Sequence, residues 1–191
     1  MPANSTRPNS MRPTSTRPTS TRLADFMPYR LSVTTNIVSD LIAGRYRSQF
    51  GLKIPEWRVM AVLGDAGAVT QRALVGATRM DKVAVNRACK VLEERGLAVR
   101  SPNPSDGRSH HLELTATGRA MFDQIMPLAL DMEARLFACL SAREAETLKA
   151  TLSKLERQAT AMLEENATAM LEENVTAVLG EDTVAMLGET E

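Results

Sequence analysis

Four stretches in the first half of the chain repeat apolar residues at helical spacing. Between 29 and 49, Leu31, Ile37, Val38, Leu41 and Ile42 predict a long amphipathic first helix. In IPEWRVMAVLGDAG, Pro55 suits a first helical turn, Trp57, Met60 and Ala61 share a face, and glycines close the element. In TQRALVGATRM, Thr70 is placed to cap, Leu74 and Val75 point inward, and Gly76 to Arg79 are expected to turn. DKVAVNRACKVLEERG then reads as a helix that starts on Asp81 and stops at Gly96.

The period next changes from helical to alternating. LAVRS and HHLELT read as two short strands, and NPSDGRS between them as a turn-rich loop, wider than a two-residue hairpin. Helical spacing resumes after Thr115, a candidate cap, and runs to about residue 139 through Met121, Phe122, Ile125, Leu128, Leu136 and Phe137, with a kink expected at Pro127. Ser141 opens a last helix with Glu144 at the third position of a capping box, and Leu148, Leu152 and Leu155 continue its face. Helices this long and apolar exceed what one small domain covers, so a symmetric homodimer is expected. The fold class is mainly α with a small β-hairpin wing, a winged helix-turn-helix over about 53–115 joined to long dimerisation helices.

On a helical wheel, Val85, Ala88, Cys89 and Leu92 form one apolar stripe, while Val83, Asn86, Arg87 and Lys90 face away from it. An ordinary solvated helix gives the same picture; the context gives it meaning. A helix pair with a short turn, followed by a hairpin, is the arrangement in which the second helix enters the DNA major groove and the hairpin reaches the neighbouring minor groove. Arg108 is the side chain for that reach, with Asp106 placed to orient its guanidinium. The candidate DNA contacts are Thr70, Gln71, Lys82, Val83, Ala84, Asn86, Arg87, Lys90, Asp106 and Arg108.

From about 50 to 158 the chain resembles the MarR family of bacterial transcriptional regulators. The resemblance rests on IPEWRVMAVLGDAG, TQRALVGATRMDKVAVNRACKVLEERGLAVRS, the Asp106–Arg108 wing, LTATGRA and LSAREAETLKATLSKLERQ, in that order. It implies a ligand-responsive homodimeric repressor whose first and last two helices interlock, binding double-stranded DNA at a pseudo-palindromic operator. It also implies a small-molecule or oxidant signal, with an effector pocket to which Tyr29, Trp57 and Met60 could contribute. Where the family often carries small hydroxyl residues early in the recognition helix, this chain has Val83, Ala84 and Asn86, which shifts the expectation toward contact with thymine methyls.

Charge changes the picture at the two ends. The formal net charge of zero is a cancellation: 1–22 hold four Arg and no acid, 23–158 hold 19 basic and 15 acidic residues, and 159–191 hold eight acidic and no basic ones. Residues 5–22 repeat STRPN, SMRPT, STRPT and STR, and proline at that spacing favours an extended basic tail. Residues 159–191 repeat every eight residues; each repeat drifts by about 80° around a helix, so they form no heptad seam. Gly180 and Gly188 weaken the last two copies as helix. Three segments result: a basic repeat tail (1–22), a winged-helix DNA-binding and dimerisation domain (23–158) and an acidic repeat extension (159–191).

No apolar run approaches the roughly 18 residues of a membrane span. Cys89 and Cys139, each inside a helical pattern, suit a reducing cytoplasm rather than a disulfide framework. His110 and His111 are adjacent and so fall on opposite faces of a strand, a poor arrangement for sharing a metal. No nucleophile–base pair, phosphate loop or carboxylate motif appears, and neither enzyme activity nor a cofactor is expected. The alternative to a DNA-binding regulator is a protein-interaction module built on the same winged scaffold without DNA binding.

Overall fold

A computed structural model describes residues 22–103 and 106–187, giving only the backbone course for 106–108 and 172–187. After a single 3-10 turn at Leu23–Asp25, the elements are α1 (Met27–Phe50), α2 (Ile54–Ala66), β1 (Val69–Thr70), α3 (Gln71–Thr78), α4 (Lys82–Glu94), β2 (Ala98–Asn103), β3 (Asp106–Leu114), α5 (Ala116–Phe137) and α6 (Ala142–Leu187). This is a mainly helical fold with one three-stranded antiparallel sheet, in the order β1-β3-β2. The chain divides into two compact units, 1–130 and 131–191.

Local chemistry sets most boundaries. Thr70 Oγ1 accepts the Ala73 N–H at 3.2 Å and Asp81 Oδ1 accepts that of Ala84 at 2.8 Å, so each side chain satisfies an otherwise orphan donor of α3 or α4. Thr115 Oγ1 accepts the Gly118 N–H at 3.0 Å and starts α5. Ser141 and Glu144 form the expected capping box: Glu144 Oε2 accepts the Ser141 N–H at 2.8 Å, and Ser141 Oγ accepts the Glu144 N–H at 3.3 Å. Gly51, Gly67 and Gly96, all at positive φ, end α1, α2 and α4.

The core of the first unit gathers Ala43 and Tyr46 of α1, Val59, Met60 and Leu63 of α2, Leu74 of α3 and the α4 stripe of Val85, Ala88, Cys89 and Leu92, with Leu112 of β3 and Ile125 of α5. Trp57 lies between two rings, 5.5 Å from Tyr46 and 6.0 Å from Phe122, centroid to centroid, which ties α1, α2 and α5 together. Glu56 is the exception to this apolar company, buried at 6% exposure, with Oε2 accepting the Lys53 N–H at 2.7 Å.

Several expectations change. Gly76 lies inside α3, which continues to Thr78, and the chain turns at Arg79, a non-glycine residue at φ 53°. Gly64 is likewise interior to α2, where Phe122 packs so close that a Cβ would come within 2.5 Å of its ring. The hairpin is narrower than expected: β2 runs on to Asn103 and β3 begins at Asp106, leaving only 104 and 105 between them. Pro102 does not stop this pairing because β2 is an edge strand, where a missing N–H costs no inner ladder bond. As expected, α5 includes Pro127 and continues past it to Phe137.

The apolar stripe expected on α1 is only partly buried within its own chain. Of the expected residues, Val38 and Ile42 are half-buried, whereas Leu31, Leu41 and above all Ile37, 63% exposed, are open; the α1 residues that the chain itself buries are Ala43 and Tyr46. In the second unit, α6 passes through residue 158 and Gly180 without a break. Leu148, Leu152 and Leu155 along it are exposed.

Gly118 is the tightest position among the described glycines. A Cβ there would overlap the Leu97 backbone carbonyl, which cannot rotate away. Gly118→Ala is expected to lower stability in urea denaturation by about 1–3 kcal/mol. Gly76→Ala has open space around its Cβ and is expected to raise stability by up to about 1 kcal/mol through helix propensity.

Candidate nucleic-acid interface

Burial of one α4 stripe dictates what the other side of the helix presents. Val85, Ala88, Cys89 and Leu92 are all buried, and the residues on the far side, Asn86, Arg87, Lys90 and Val83 (58% exposed), stand in solvent. Lys82 is exposed at the helix start and Ala84 is half-buried. Gln71, the first residue of α3, joins them: Gln71, Lys82, Val83, Asn86 and Arg87 line one surface hollow of about 370 Å³. Two helices thus contribute to one open, cation-bearing concavity.

The cations there are not equally available. Lys90 Nζ lies 3.7 Å from Glu94, an exposed i,i+4 pair that holds the ammonium only weakly. Lys82 and Arg87 make no ion pair among the described residues. Arg100 on β2, absent from the expected contacts, donates from Nε to Glu93 at 2.6 Å and pins the sheet to the last turn of α4.

A second cavity of about 430 Å³ opens where the start of α3 meets the sheet. Its lining includes Thr70, Gln71, Arg72, Arg100, Asn103, Ser109, His110, His111 and one edge of Cys89. Thr70 and Gln71 of this lining are among the candidate DNA contacts, whereas Arg72 and Arg100 are not. β1, only two residues long, brings Thr70 opposite His111 in the sheet, and no sequence period signals so short a strand. Among the described residues, no three His, Cys, Asp or Glu side chains converge on one point.

Asp106 and Arg108 lie on β3 rather than in a loop, and their side chains fall outside the described ones. Asn103 Nδ2 donates to Ser109 Oγ at 2.8 Å across the hairpin near its turn. Tyr29, Trp57 and Met60 do not line either cavity. Met60 has no exposed surface, Trp57 is half-buried between its two aromatic neighbours, and Tyr29 is exposed near the start of α1.

A sequence profile of the MarR family matches residues 50–109, the segment that holds α2 to α4, β2 and the start of β3. The HTH-type transcriptional repressor Rv2887 of Mycobacterium tuberculosis is 30% identical over 108 residues, covering 56% of this chain and 78% of that protein. The chain belongs to the MarR family. Multiple antibiotic resistance protein MarR of Salmonella typhimurium is 28% identical over 127 residues, 66% of this chain and 88% of that one. Among solved structures, a probable transcriptional regulator from Pseudomonas aeruginosa is similar at TM-score 0.61 and 30% identity, over 70% of this chain and 99% of its own. A mutant of Escherichia coli MarR complexed with operator DNA is similar at TM-score 0.62 and 28% identity, over 71% and 99% of the two chains. The MarR-family winged helix here is therefore α3, α4 and the β2–β3 hairpin, with β1 completing the sheet.

Two acids are buried in this support. Burial pushes the Cys89 thiol from 9.0 up to about 11, against the opposing pull of Arg100, and pushes the Tyr46 phenol from 10.0 up to about 12, against Arg47 and Arg58. Both are raised, so the fold favours their protonated forms. Their contribution is fully present below the ordinary values and is lost as pH rises through the folded ones. Melting temperature is expected to fall as pH climbs from about 9 to about 12, and Tyr46→Phe to flatten that fall. Cys139 is exposed and Cys89 buried, so a thiol reagent at neutral pH should label one cysteine in the native protein and the second only in denaturant. Two rapid native reactions would contradict the packing of α4.

Proposed function

We propose that this MarR-family protein is a sequence-specific DNA-binding transcriptional regulator, acting as a homodimeric repressor on a pseudo-palindromic operator. The observation that carries the reading is the outward face of α4, where Asn86, Arg87 and Val83 stand exposed beside Gln71 and Lys82 while the opposite stripe is locked in the core. In this reading α4 enters the major groove. Arg87 and Asn86 supply hydrogen bonds to base edges, Val83 and Ala84 meet thymine methyls, and Thr70, Gln71, Lys82 and Lys90 hold phosphates. Arg108, oriented by Asp106, reaches the adjoining minor groove from the wing. Similarity to the transcriptional repressor Rv2887 supports it, as does likeness to a MarR mutant solved in complex with operator DNA.

The homodimer is supported by α1, whose Leu31, Ile37 and Leu41 are left open by their own chain. We further infer a small-molecule effector, a cytoplasmic setting and three functional segments, 1–22, 23–158 and 159–191, with no catalytic role. No helix among the described residues is long and apolar enough to cross a membrane.

Selection of bound sequences from random duplexes by the purified protein tests the reading. Enriched sequences should hold two inverted half-sites about one helical turn apart, and affinity should fall steeply with salt as phosphate contacts release counterions. Arg87→Ala should lose about 1–3 kcal/mol of discrimination at one base position, with melting temperature nearly unchanged. A monomer in sedimentation at micromolar concentration, or absence of binding to any duplex at low salt, would overturn the proposal; the latter with an intact dimer would favour a protein-interaction module.

A further inference from the structure

Helix ends of three elements meet around residues 95–97. Arg95 follows the last residue of α4, and its guanidinium reaches the end of α1, more than forty residues earlier. Nη2 donates to the Phe50 carbonyl at 2.7 Å and Nη1 to the Gly51 carbonyl at 3.2 Å. On the other side of this junction, the Gly96 carbonyl accepts from Thr115 Oγ1 at 2.7 Å and the Leu97 carbonyl from the Thr115 N–H at 3.1 Å, which attaches the start of α5.

The chemistry suits a clamp. The last carbonyls of a helix lack intrahelical donors and carry the negative end of its dipole. A guanidinium offers two parallel donors in one rigid plane, and it matches two successive carbonyls where an ammonium matches one point. Gly51, in the left-handed conformation at φ 65°, turns the chain so that both carbonyls face Arg95. Arg95 itself is held by the α4 terminus, its N–H donating to the Val91 carbonyl at 3.1 Å. Arg95 is exposed and does not line the hollow beside α4.

We propose that Arg95 is a positioning residue: it fixes the direction of α1 relative to α4, and so sets the distance between the two α4 helices of a homodimer and the half-site spacing the protein accepts. α1 carries the open apolar stripe, so any partner seated there is held at an angle to α4 that this clamp determines. The inference rests on the dimeric regulator reading, and its test separates the two.

A nitroxide is attached at Val83→Cys in a Cys139→Ser background, where Cys89 stays buried and unlabelled, and the spin–spin distance across the homodimer is measured without DNA. A narrow distribution is expected with Arg95 in place and a clearly broader or shifted one in Arg95→Ala, with Arg95→Lys between them. In parallel, unlabelled protein carrying Val83 and Cys139 is titrated with duplexes whose selected half-sites are moved apart or together by one and two base pairs. The preference for the selected spacing should fall by about tenfold in Arg95→Ala, and Arg95→Lys should restore part of it. Superimposable distance distributions would overturn the proposal. So would an equal loss of affinity at every spacing, restored by lysine, which would make Arg95 a phosphate contact. A broadened distance in a protein that binds no duplex would uphold the positioning role and sink the DNA reading alone.

Discussion

Everything exposed at the candidate interface follows from one packing constraint, the burial of a single stripe of α4. Val85, Ala88, Cys89 and Leu92 meet the core built on Val59, Met60 and Leu63 of α2. Val85 and Leu92 each contribute roughly 1.5–3 kcal/mol when fully buried, so the rotation of α4 about its axis is set far more firmly than any exposed ion pair could set it. With that rotation settled, Asn86, Arg87 and Lys90 have only solvent to face. The same stripe explains the raised Cys89 thiol: a group that must pack as a small hydrophobe cannot readily ionise there.

Features whose cause lies within four or five residues were legible in the sequence. Thr70, Asp81, Thr115 and Ser141 each cap the helix they were expected to cap, because the acceptor and the donor it satisfies are three residues apart. The two faces of α4 were legible for the same reason, since helical period alone separates them. The family likeness was legible in the order of these segments, and the winged helix with its small sheet is the fold observed.

Features decided by distant partners were not legible. Turn residues dominate NPSDGRS, yet strand pairing enters it: Asn103 pairs with Asp106 beyond an irregularity between Pro102 and Asn103, because an edge strand tolerates Pro102 and pairing with a neighbour outweighs local turn preference. Gly64 looked like a stop signal; it sits mid-helix because the Phe122 ring needs the space. Arg119 donates to the Gly64 carbonyl at 2.8 Å with its guanidinium 5.2 Å from the Phe122 centroid, and Arg95 clamps α1 in a similar way. A backbone carbonyl has no residue identity, so a side chain that binds one across forty or more positions leaves no pattern to read. Met60 shared a helical face with Trp57, but a face gives direction without depth, and only packing shows that Met60 is sealed in.

The long last helix raises a separate question: why a continuous element should be read as two segments. Leu148, Leu152 and Leu155 keep one line on α6, separated by four and three residues, a spacing that a partner helix can cover. Beyond residue 158 the apolar positions come in pairs eight residues apart, Met162 with Leu163 and Met170 with Leu171, all exposed. An eight-residue step turns about 80° past two full turns, so successive pairs leave the line and point around the helix. Acidic side chains, Glu164 and Glu165 among them, fill the intervals with no basic residue to offset them. Two such extensions laid side by side would gain little apolar burial and would repel. We infer that the surface able to seat a second copy ends near residue 158 even though the backbone continues without a break, so the functional boundary is drawn by the hydrophobic period rather than by the end of the helix.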